Sequence, residues 1–395
     1  MSIRPTRILP VIMVSQFAGT SLWFAGNAVL PDLQIAWGLA AEDAGPITSA
    51  VQLGFIAGTL VFAITALSDR VSPRWLFFAC AAMGAGFNAL TVAMPPGLSG
   101  LLILRFATGF CLAGIYPVGM KIAAGWFQAD LGRALGYLVG ALVAGTALPH
   151  LVRGMGGSLP WESVTLAVSA ISVAGGAMMA ALVPDGPFLA KGAKFDPRAV
   201  FAIFRSARFR ASAFGYFGHM WELYAFWAFV PLLLTAYLTA NGISLSLSLL
   251  SFAVIVSGGL SCMVGGKLSV RYGSARVAGL NLSVSGLCCL ISPLAFIAPL
   301  PLFLLFVLVW GIAVVGDSPQ FSALNAHSAP PELVGSALTI ANAIGFGVSV
   351  VSIQLLAAVA DDLGMQFVFL LLLPGPILGL LSLRPLLAGP LKGGG

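Results

Sequence analysis

The sequence predicts an all-α integral membrane protein with twelve transmembrane helices in two pseudo-symmetric six-helix bundles. Three observations lead to this fold class. Of the 395 residues, 59% are hydrophobic and only 8% are Asp, Glu, Lys or Arg, whereas a soluble domain carries roughly a quarter charged residues. Long apolar stretches recur along the whole chain. Short patterns of the first half also return in the second half at a nearly constant distance.

The apolar stretches set the number of helices. The hydrocarbon core of a bilayer requires about 20 apolar residues per helix, and breaks at proline, glycine and charged residues leave twelve candidates. We call them spans 1 to 12, and they lie near residues 8–30, 46–67, 75–95, 98–122, 134–152, 163–183, 213–236, 245–267, 277–297, 301–323, 335–358 and 365–386. The basic N-terminus resembles a signal peptide, but its apolar stretch runs too long, so we expect span 1 to be retained.

The charged residues of the loops predict the orientation. Basic residues fall in alternate loops, on the side that carries both termini, and comprise Arg4, Arg7, Arg70, Arg74, Arg133, Lys267, Arg271 and Arg276. Acidic residues lie in the opposite loops, at Asp32, Glu42, Asp43, Glu162, Asp361 and Asp362. Lys and Arg mark the cytoplasmic side of a membrane protein. We therefore expect a multi-pass protein of the bacterial inner (plasma) membrane with cytoplasmic termini.

The longest connection divides the spans into six and six. We expect an N-terminal six-helix bundle over 1–183, a basic cytoplasmic linker over 184–212 and a C-terminal six-helix bundle over 213–395. The last part of the linker alternates Phe and Ala with Arg, which is typical of an amphipathic helix at a lipid surface. A solvated basic linker is the simpler interpretation, and the two are compatible.

Self-similarity supports this division independently of hydropathy. Three pairs of patterns share an offset of 201 to 203 residues: Gly58 and Arg70 with Gly259 and Arg271, Gly114 and Pro117 with Gly316 and Pro319, and Gly132 with Gly335. The agreement indicates duplicated halves. Two parallel six-helix halves are known from transporters whose solute site lies between them.

The loop after span 2 resembles the signature of the major facilitator superfamily between its helices 2 and 3. In LSDRVSPR, residues 67–74, Asp69, Arg70 and Arg74 match the signature, although Thr65 and Ser72 replace usual glycines. The equivalent loop of the second half keeps Arg271 and Arg276 but lacks the acid. The resemblance implies a secondary transporter with a cytoplasmic gate at Asp69, Arg70, Arg74, Arg271 and Arg276. The alternative is that the arginines only fix the topology.

Two further segments resemble motifs of this superfamily. Arg105 followed by Gly109 is similar to the fourth-helix motif, which implies a functional role for the arginine. Span 5 contains Gly136, Gly145 and Pro149, which partly match the antiporter pattern but lack the glycine before the proline. Small residues also allow ordinary close packing of helices.

The resemblance also places spans 1, 4, 7 and 10 along the central path, and the polar intramembrane residues concentrate there. An ionisable group at bilayer depth is costly and normally faces a cavity or a partner. His219 and Glu222 are three residues apart, so they share a face of span 7. Asp317 lies in the inner half of span 10 and can meet the same cavity at comparable depth.

These three residues predict proton coupling. A carboxyl group can take up and release a proton as a cavity alternates between dry and hydrated, because burial favours the neutral acid and water favours the anion. We therefore expect coupling through Glu222 or Asp317, with His219 as a relay or substrate contact. The alternative is that Glu222 and His219 form a satisfied structural pair.

Other polar and aromatic residues of the same spans are candidate solute contacts. They are Gln16, Trp23 and Asn27 of span 1, Arg105, Tyr116 and Lys121 of span 4, Trp221 and Tyr224 of span 7, and Gln320 of span 10. Lys121 could attract an anion, but a lysine near a helix end also extends its ammonium to the surface. The aromatic residues could equally pack against lipid or other helices.

The leading functional prediction is a monomeric secondary transporter for a small polar, anionic or zwitterionic solute, coupled to protons by alternating access. The first alternative is a proton-driven multidrug or cation efflux antiporter, and the second is a membrane receptor or scaffold without transport. No enzyme, cofactor or metal site is expected, because nucleotide-binding and metal-ligand motifs are missing and His150, His219 and His327 are scattered. The five cysteines lie in apolar runs, and the dispersed basic residues do not indicate nucleic-acid binding.

Overall fold

A computed structural model describes residues 6–127, 131–155, 159–189, 196, 199–330 and 333–387. These residues form helices and connecting turns without a β-strand. Eleven helices are long and apolar enough to cross a membrane, and a shorter apolar helix, Ile8–Thr20, precedes them. Together they correspond in order to the twelve predicted spans, so the span numbers are kept.

In the first bundle, the spans alternate in direction, and spans 1, 4 and 5 end later than predicted. Span 1 comprises Ile8–Thr20, Ala25–Ala28 and Leu30–Trp37, span 2 is Ala44–Thr65, span 3 is Pro73–Ala93, span 4 comprises Leu98–Leu112 and Tyr116–Trp126, span 5 is Leu131–Met155 and span 6 is Trp161–Leu182. A short helix, Leu67–Arg70, lies in the loop after span 2.

The second bundle repeats this arrangement. Span 7 is Ala207–Ala240, span 8 is Leu247–Tyr272, span 9 is Ser274–Phe296, span 10 comprises Leu300–Gly316 and Ser318–Ser328, span 11 is Val334–Leu363, and span 12 comprises Met365–Val368, a 3₁₀ turn at Phe369–Leu372 and Pro374–Leu387. The hydroxyl of Ser206 accepts a hydrogen bond from the N–H of Phe209 at 3.2 Å and so caps span 7.

Spans 4 and 10 are interrupted at equivalent positions of the repeat. Pro117 and Pro319 each occupy the second position of the segment that follows the interruption. A proline has no N–H to donate to the preceding turn and its ring crowds that turn, so the helix starts again at this point. Both spans were predicted as continuous helices, which is wrong. The repeated glycine–proline pattern therefore marks the same helix interruption in both halves.

Span 1 was also predicted as one helix over 8–30, which is wrong. The helix ends at Thr20, a turn follows, and helical segments resume from Ala25 to Trp37. A backbone turn at membrane depth needs partners for its carbonyl groups. Arg105 of span 4 supplies a donor to two of them, those of Leu22 and Trp23.

The twelve spans form two six-helix bundles. In the first, span 2 packs on span 4, and span 6 packs on spans 1 and 3. In the second, span 12 packs on span 7, and span 10 packs on spans 8 and 9. Between the bundles, span 5 packs on span 8 and span 2 on span 11. A central space therefore remains between the bundles, bordered by spans 4, 5, 7, 10 and 11.

Part of the connection between the bundles lies outside the described residues. These residues, 190–195 and 197–198, include Lys191, Lys194 and Arg198 of the predicted basic linker. The described part contains a short helix, Ala199–Ile203, and span 7 begins at Ala207. Arg208 and Arg210 therefore belong to the first turns of span 7 rather than to a preceding segment.

The two bundles are in contact on the side away from the termini, which we call the opposite side. The amide of Gln354 in span 11 donates a hydrogen bond to the hydroxyl of Ser49 in span 2 at 2.9 Å. Nearer the middle, Gly140 of span 5 and Gly259 of span 8 approach so closely that a Cβ on Gly140 would lie 2.9 Å from the Gly259 carbonyl oxygen. The described residues therefore show a conformation in which the bundles meet on the opposite side.

Candidate functional site

Three ionisable side chains meet inside the second bundle. Nδ1 of His219 lies 2.8 Å from Oδ1 of Asp317. Both residues and Glu222 are fully buried. One ligand atom from each of the three lies within 4.8 Å of the others. We call His219, Glu222 and Asp317 the buried trio, and its geometry brings together the three residues that the sequence singled out for proton coupling.

Glu222 is held by two donors of span 9, one of which accepts a hydrogen bond from span 10. The hydroxyl of Ser285 donates to Oε2 of Glu222 at 2.6 Å, and the indole N–H of Trp310 donates to the Ser285 hydroxyl at 3.2 Å. The thiol of Cys289 is a weaker donor to the same oxygen, at 3.9 Å. The other oxygen, Oε1, has no hydrogen-bond partner among the described residues. Glu222 therefore retains an acceptor position that a proton could occupy.

Local helix geometry explains how the trio forms. His219 and Glu222 are less than one turn apart on span 7 and project from a common face. Asp317 occupies the junction between the two segments of span 10, immediately before Ser318. The rings of Tyr216 and Phe321 lie 6.0 and 5.8 Å from the His219 ring, which fixes the imidazole between spans 7 and 10.

The structure distinguishes between two arrangements left open by the sequence. His219 pairs with Asp317 of span 10 rather than with Glu222 of its own helix. An imidazole and two carboxylates this close could also hold a metal ion, which the sequence did not indicate because the ligands come from distant segments. His219 and Asp317 approach to 2.8 Å without hydrogen-bond geometry, and their side-chain nitrogens and oxygens have no other hydrogen-bond partner among the described residues, so either a proton or a metal ion would satisfy them.

A small cavity lies between the bundles, on the terminus side of their contact. Its volume is about 30 Å³, enough for a water molecule but far below a site of about 300 Å³ or more for a drug-sized molecule. The described residues that line it include no charged side chain; the polar and aromatic ones are Tyr116, Tyr216, Tyr224, Trp227, Ser318, Ser322, Asn342 and Phe346. Because Tyr216 contacts His219 and Ser318 follows Asp317, the buried trio lies directly behind the cavity wall.

Aromatic rings from both bundles meet beside this cavity. The ring of Trp23 in span 1 stacks on those of Tyr224 and Phe346, with centroids 5.6 and 5.7 Å apart and an interplanar angle of 24° in each case. Phe24 meets Trp227 edge to face at 6.0 Å. These pairs, which we call the aromatic cluster, connect span 1 to spans 7 and 11. Offset stacking and edge-to-face contacts are the favoured arrangements of such rings.

Arg105 binds the interrupted part of span 1. Its guanidinium donates to the carbonyl oxygens of Leu22 and Trp23 at 3.1 and 2.6 Å, and to Oδ1 of Asn88 at 3.1 Å. The side chain is only 1% exposed. Arg105 therefore satisfies carbonyls that the turn leaves without a helical partner, and it does not line the cavity.

Lys121 is also engaged away from the cavity. Its ammonium donates to the backbone oxygen of Ser68 at 2.7 Å and pairs with the carboxylate of Asp69 at 2.5 Å. The pair connects span 4 to the loop between spans 2 and 3. It lies within the first bundle and is partly exposed.

The other residues predicted to form the gate have surroundings of their own. Arg70 is exposed, and a guanidinium N–H of Arg74 donates to the carbonyl oxygen of Ala180 at 3.5 Å. The guanidinium of Arg271 lies 5.3 Å from the ring of Tyr272, and Arg276 lines a separate pocket on the outer face of the second bundle.

The remaining candidates divide between the cavity and helix contacts. Tyr116 and Tyr224 line the cavity. Trp23 donates to Gln52 at 3.3 Å, Asn27 to Thr48 at 2.7 Å, and Trp221 to the Leu371 carbonyl at 3.0 Å. Gln16 and Gln320 are buried, and neither amide atom of Gln16 has a hydrogen-bond partner in the described part of the chain.

Sequence reasoning missed several residues that complete the site. Ser285 and Trp310 support Glu222, and Asn342 and Phe346 belong to the cavity wall. Ser285, Asn342 and Phe346 lie on spans 9 and 11, outside the four spans searched for polar residues. Tyr216 could have been found, because it is three residues before His219 and shares its helix face.

Comparisons with known proteins support the architecture. NiaP of Bacillus subtilis (strain 168), described as a candidate niacin/nicotinamide transporter, is 26% identical over 172 residues, which are 40% of this chain and 39% of NiaP. The match thus spans well under half of that relative. The human organic anion transporter MFSD10 (TETRAN) is structurally similar, with a TM-score of 0.72 and 15% identity over 96% of this chain and 100% of that structure.

A mutant of the nucleoside transporter NupG has a TM-score of 0.73 and 14% identity, with coverage of 96% of this chain and 99% of that structure. At these identities the two structures show a shared fold. The family model described as Major Facilitator Superfamily matches residues 12–353. With its two six-helix bundles around a central cavity, the chain belongs to the Major Facilitator Superfamily of transporters.

Proposed function

We propose that the protein is a secondary active transporter that moves a small organic solute by alternating access and couples this movement to protons through the buried trio. The observation that carries the proposal is the complete burial of His219, Glu222 and Asp317 directly behind the cavity wall. The partial match to NiaP supports a small organic solute. The solute binds in the central cavity, which opens to each side of the membrane in turn.

The charges of the buried trio provide a reason for proton coupling. A protonated His219 can balance one carboxylate, Asp317, but the second acid, Glu222, then has hydroxyl and thiol donors and, among the described residues, no cation of its own. An ionised carboxylate without a counter-charge is costly away from water. Glu222 therefore holds a proton while the site is dry and releases it when an altered conformation admits water.

The trio is connected to elements that can move. Asp317 lies at the junction of span 10, and Tyr216 lies between the cavity and His219. A change in the charge of the His219–Asp317 pair alters the attraction between span 7 and this junction. The terminus-side segment Ser318–Ser328 then shifts relative to Leu300–Gly316, and the cavity wall shifts with it.

The contacts between the bundles support the alternating-access cycle. Span 2 meets span 11 through Ser49 and Gln354, and spans 5 and 8 meet at Gly140 and Gly259. Residues 1–183 rock against residues 213–386 as these contacts separate. With the basic loops in the cytoplasm, this conformation is closed toward the outside of a bacterial inner membrane, and the monomer contains the whole path.

The geometry favours an uncharged solute over an anionic or a cationic one. The prediction of an anionic or zwitterionic solute depended on Arg105 and Lys121, which are engaged with span 1 and with Asp69. Cation efflux required Glu222 and Asp317 to face the solute, and both lie behind the wall. A receptor or scaffold without transport needs no buried proton-binding group, so the trio argues against it as well.

The proposal is tested in proteoliposomes that contain a pH-sensitive dye. Members of a panel of small neutral, anionic and cationic solutes are added one at a time, and solute uptake and internal pH are recorded together. We expect at least one solute to move protons in the wild type, and Glu222→Gln to abolish the proton movement. Asp361→Asn, at an exposed acid of span 11, is the matched control and should behave as the wild type.

A chelator distinguishes proton coupling from the alternative that a metal ion is bound by the buried trio. If a metal ion occupied the trio, EDTA would stop transport in the wild type, whereas proton coupling is unaffected by it. Solute uptake that is insensitive to pH in both the wild type and Glu222→Gln would contradict the proposed coupling. Failure of every solute to enter faster than in protein-free vesicles would favour the receptor or scaffold.

A further inference from the structure

In the part of the chain that the structure describes, the cavity wall offers no charged group to a solute. The side chains that line it, within the described residues, are tyrosine, tryptophan, phenylalanine, serine, asparagine and aliphatic groups. The nearby cation Arg105 is bound by carbonyl oxygens, and the acids of the buried trio are bound inside the second bundle. A charged solute would lose its hydration here without gaining a partner. The site therefore favours a solute without net charge.

The aromatic cluster indicates the shape of the solute. A cavity of about 30 Å³ cannot hold an organic molecule, so binding must separate some rings that now touch across the bundles. The ring of Trp23 on one side is inclined by 24° to each of the rings of Tyr224 and Phe346 on the other, which are 45° from each other. A flat aromatic molecule between them restores the lost stacking, each ring contact contributing about two- to tenfold in affinity. A saturated ring of the same size does not.

Trp227 adds a hydrogen-bond donor to this site. Its ring lines the cavity and is 1% exposed, and its indole N–H has no hydrogen-bond partner among the described residues. Its ring is fixed edge to face by Tyr224 at 5.4 Å and by Phe24 at 6.0 Å. A buried N–H without an acceptor is unfavourable. A carbonyl oxygen or ring nitrogen of the solute would satisfy it.

We infer that the solute is a small, flat, uncharged aromatic compound that carries a hydrogen-bond acceptor. Its ring lies between Trp23 and the pair Tyr224 and Phe346, and its acceptor receives the Trp227 N–H. The inference rests on the proposed function, because it concerns the solute of the same central cavity. It adds the residues that determine specificity and the chemical class that they select.

The test is a thermal-shift titration of the purified full-length protein in detergent. The probes are benzamide and indole-3-carboxamide, which are flat and neutral, cyclohexanecarboxamide, which keeps the amide but has a saturated ring, and benzoate, which keeps the flat ring but is anionic. A ligand that binds the folded state raises its apparent stability by mass action. We expect a saturable rise in Tm with the flat carboxamides and none with the other two probes.

Two variants locate the binding. Phe346→Leu removes one stacking face and should weaken benzamide binding about tenfold. Trp227→Phe keeps the ring but removes the donor and should weaken it about fivefold. The controls are Phe201→Leu and Trp75→Phe, at side chains that are 76% and 53% exposed and distant from the cavity lining. Both should bind as the wild type does.

Equal shifts with the saturated probe, a larger shift with benzoate, or no shift with either flat carboxamide would overturn the inference. Because the two variants remove different groups, a folding defect in one leaves the other to decide. The titration needs no pH gradient, so its failure does not affect the proton-coupling experiment. Conversely, benzamide binding with no proton movement would count against the proposed function and not against the solute class.

Discussion

Nδ1 of His219 in span 7 lies 2.8 Å from Oδ1 of Asp317 in span 10, and neither side chain is exposed to solvent. The contact joins a continuous helix to the junction of an interrupted one. Removal of one partner of such a buried pair leaves the charge of the other without compensation, whereas removal of both partners leaves no uncompensated charge. The free energy of unfolding of single and double variants can therefore show whether the two side chains stabilise each other.

We expect Asp317→Asn to lower the free energy of unfolding by about 3 kcal/mol. His219→Gln should have a similar effect, and the double variant should lose less than the sum of the two. Thermal unfolding in detergent measures all three against the wild type. Strictly additive losses would show that the two side chains do not stabilise each other. Asp362→Asn, at an exposed acid at the end of span 11, serves as the control.

Arg105 should be essential for the fold of span 1. Arg105→Met leaves the carbonyl oxygens of Leu22 and Trp23 without their donor, and each unsatisfied buried group costs about 1–3 kcal/mol. We therefore expect a loss of roughly 3 kcal/mol or more, with Arg105→Lys intermediate because an ammonium cannot reproduce the planar donor geometry. Thermal unfolding measures the loss, with the exposed Arg208→Lys as the control. Wild-type stability of Arg105→Met would refute this role.

Closure on the opposite side should depend on the glycines between spans 5 and 8. A Cβ on Gly140 would lie 2.9 Å from the Gly259 carbonyl oxygen, and one on Gly259 would lie 3.0 Å from the Gly140 carbonyl oxygen. Gly140→Ala should therefore force the bundles apart and favour the conformation that is open on the opposite side.

A disulfide reports this shift. Ser49 and Gln354 form a hydrogen bond at 2.9 Å, and both are replaced by cysteine. We expect the disulfide between Ser49→Cys and Gln354→Cys to form several-fold more slowly when Gly140→Ala is added. Gly347→Ala is the matched control, because a Cβ there meets no atom within 4 Å. Equal oxidation rates in the two variants would argue against the glycine contact as a determinant of closure.

The Lys121–Asp69 pair should affect transport more than stability. The side chains are 21% and 16% exposed, so we expect Lys121→Met to cost no more than about 1 kcal/mol. If the pair holds the loop between spans 2 and 3 in position for gating, the transport rate should fall about tenfold while solute binding is retained. Initial uptake rates and the thermal shift with the solute measure these two effects separately. Unchanged uptake would assign the pair a structural role.

The twelve-span architecture follows from the sequence because lipid imposes a simple requirement on each helix. About 20 apolar residues must follow one another in each span. Such stretches can be found in the sequence without any knowledge of helix packing. The interruptions of spans 1, 4 and 10 were missed for the same reason. The helices of these spans stop at Thr20, Leu112 and Gly316, but the apolar stretches continue past these residues, so hydropathy does not show the interruptions.

The candidate site divides in a similar way. The spacing of His219 and Glu222 determines that they share a helix face, and the position of Asp317 within span 10 sets its depth. Neither fact determines which carboxylate pairs with the imidazole, because that depends on the rotation of span 10 against span 7. The sequence also shows that Arg105 and Lys121 are cations within apolar segments. The sequence does not show that Arg105 and Lys121 both bind partners within the first bundle.

The sequence by itself therefore determined the membrane class, the two halves and the few ionisable groups that a bilayer tolerates only for a reason. The tertiary structure decided which of those groups bind one another, which rings meet across the bundles, and that none of the described residues of the cavity wall is charged. The physical reason is that hydrophobic burial depends on composition along the chain, whereas hydrogen bonds and ion pairs act over about 3 Å. They are defined only once the helices have been placed side by side.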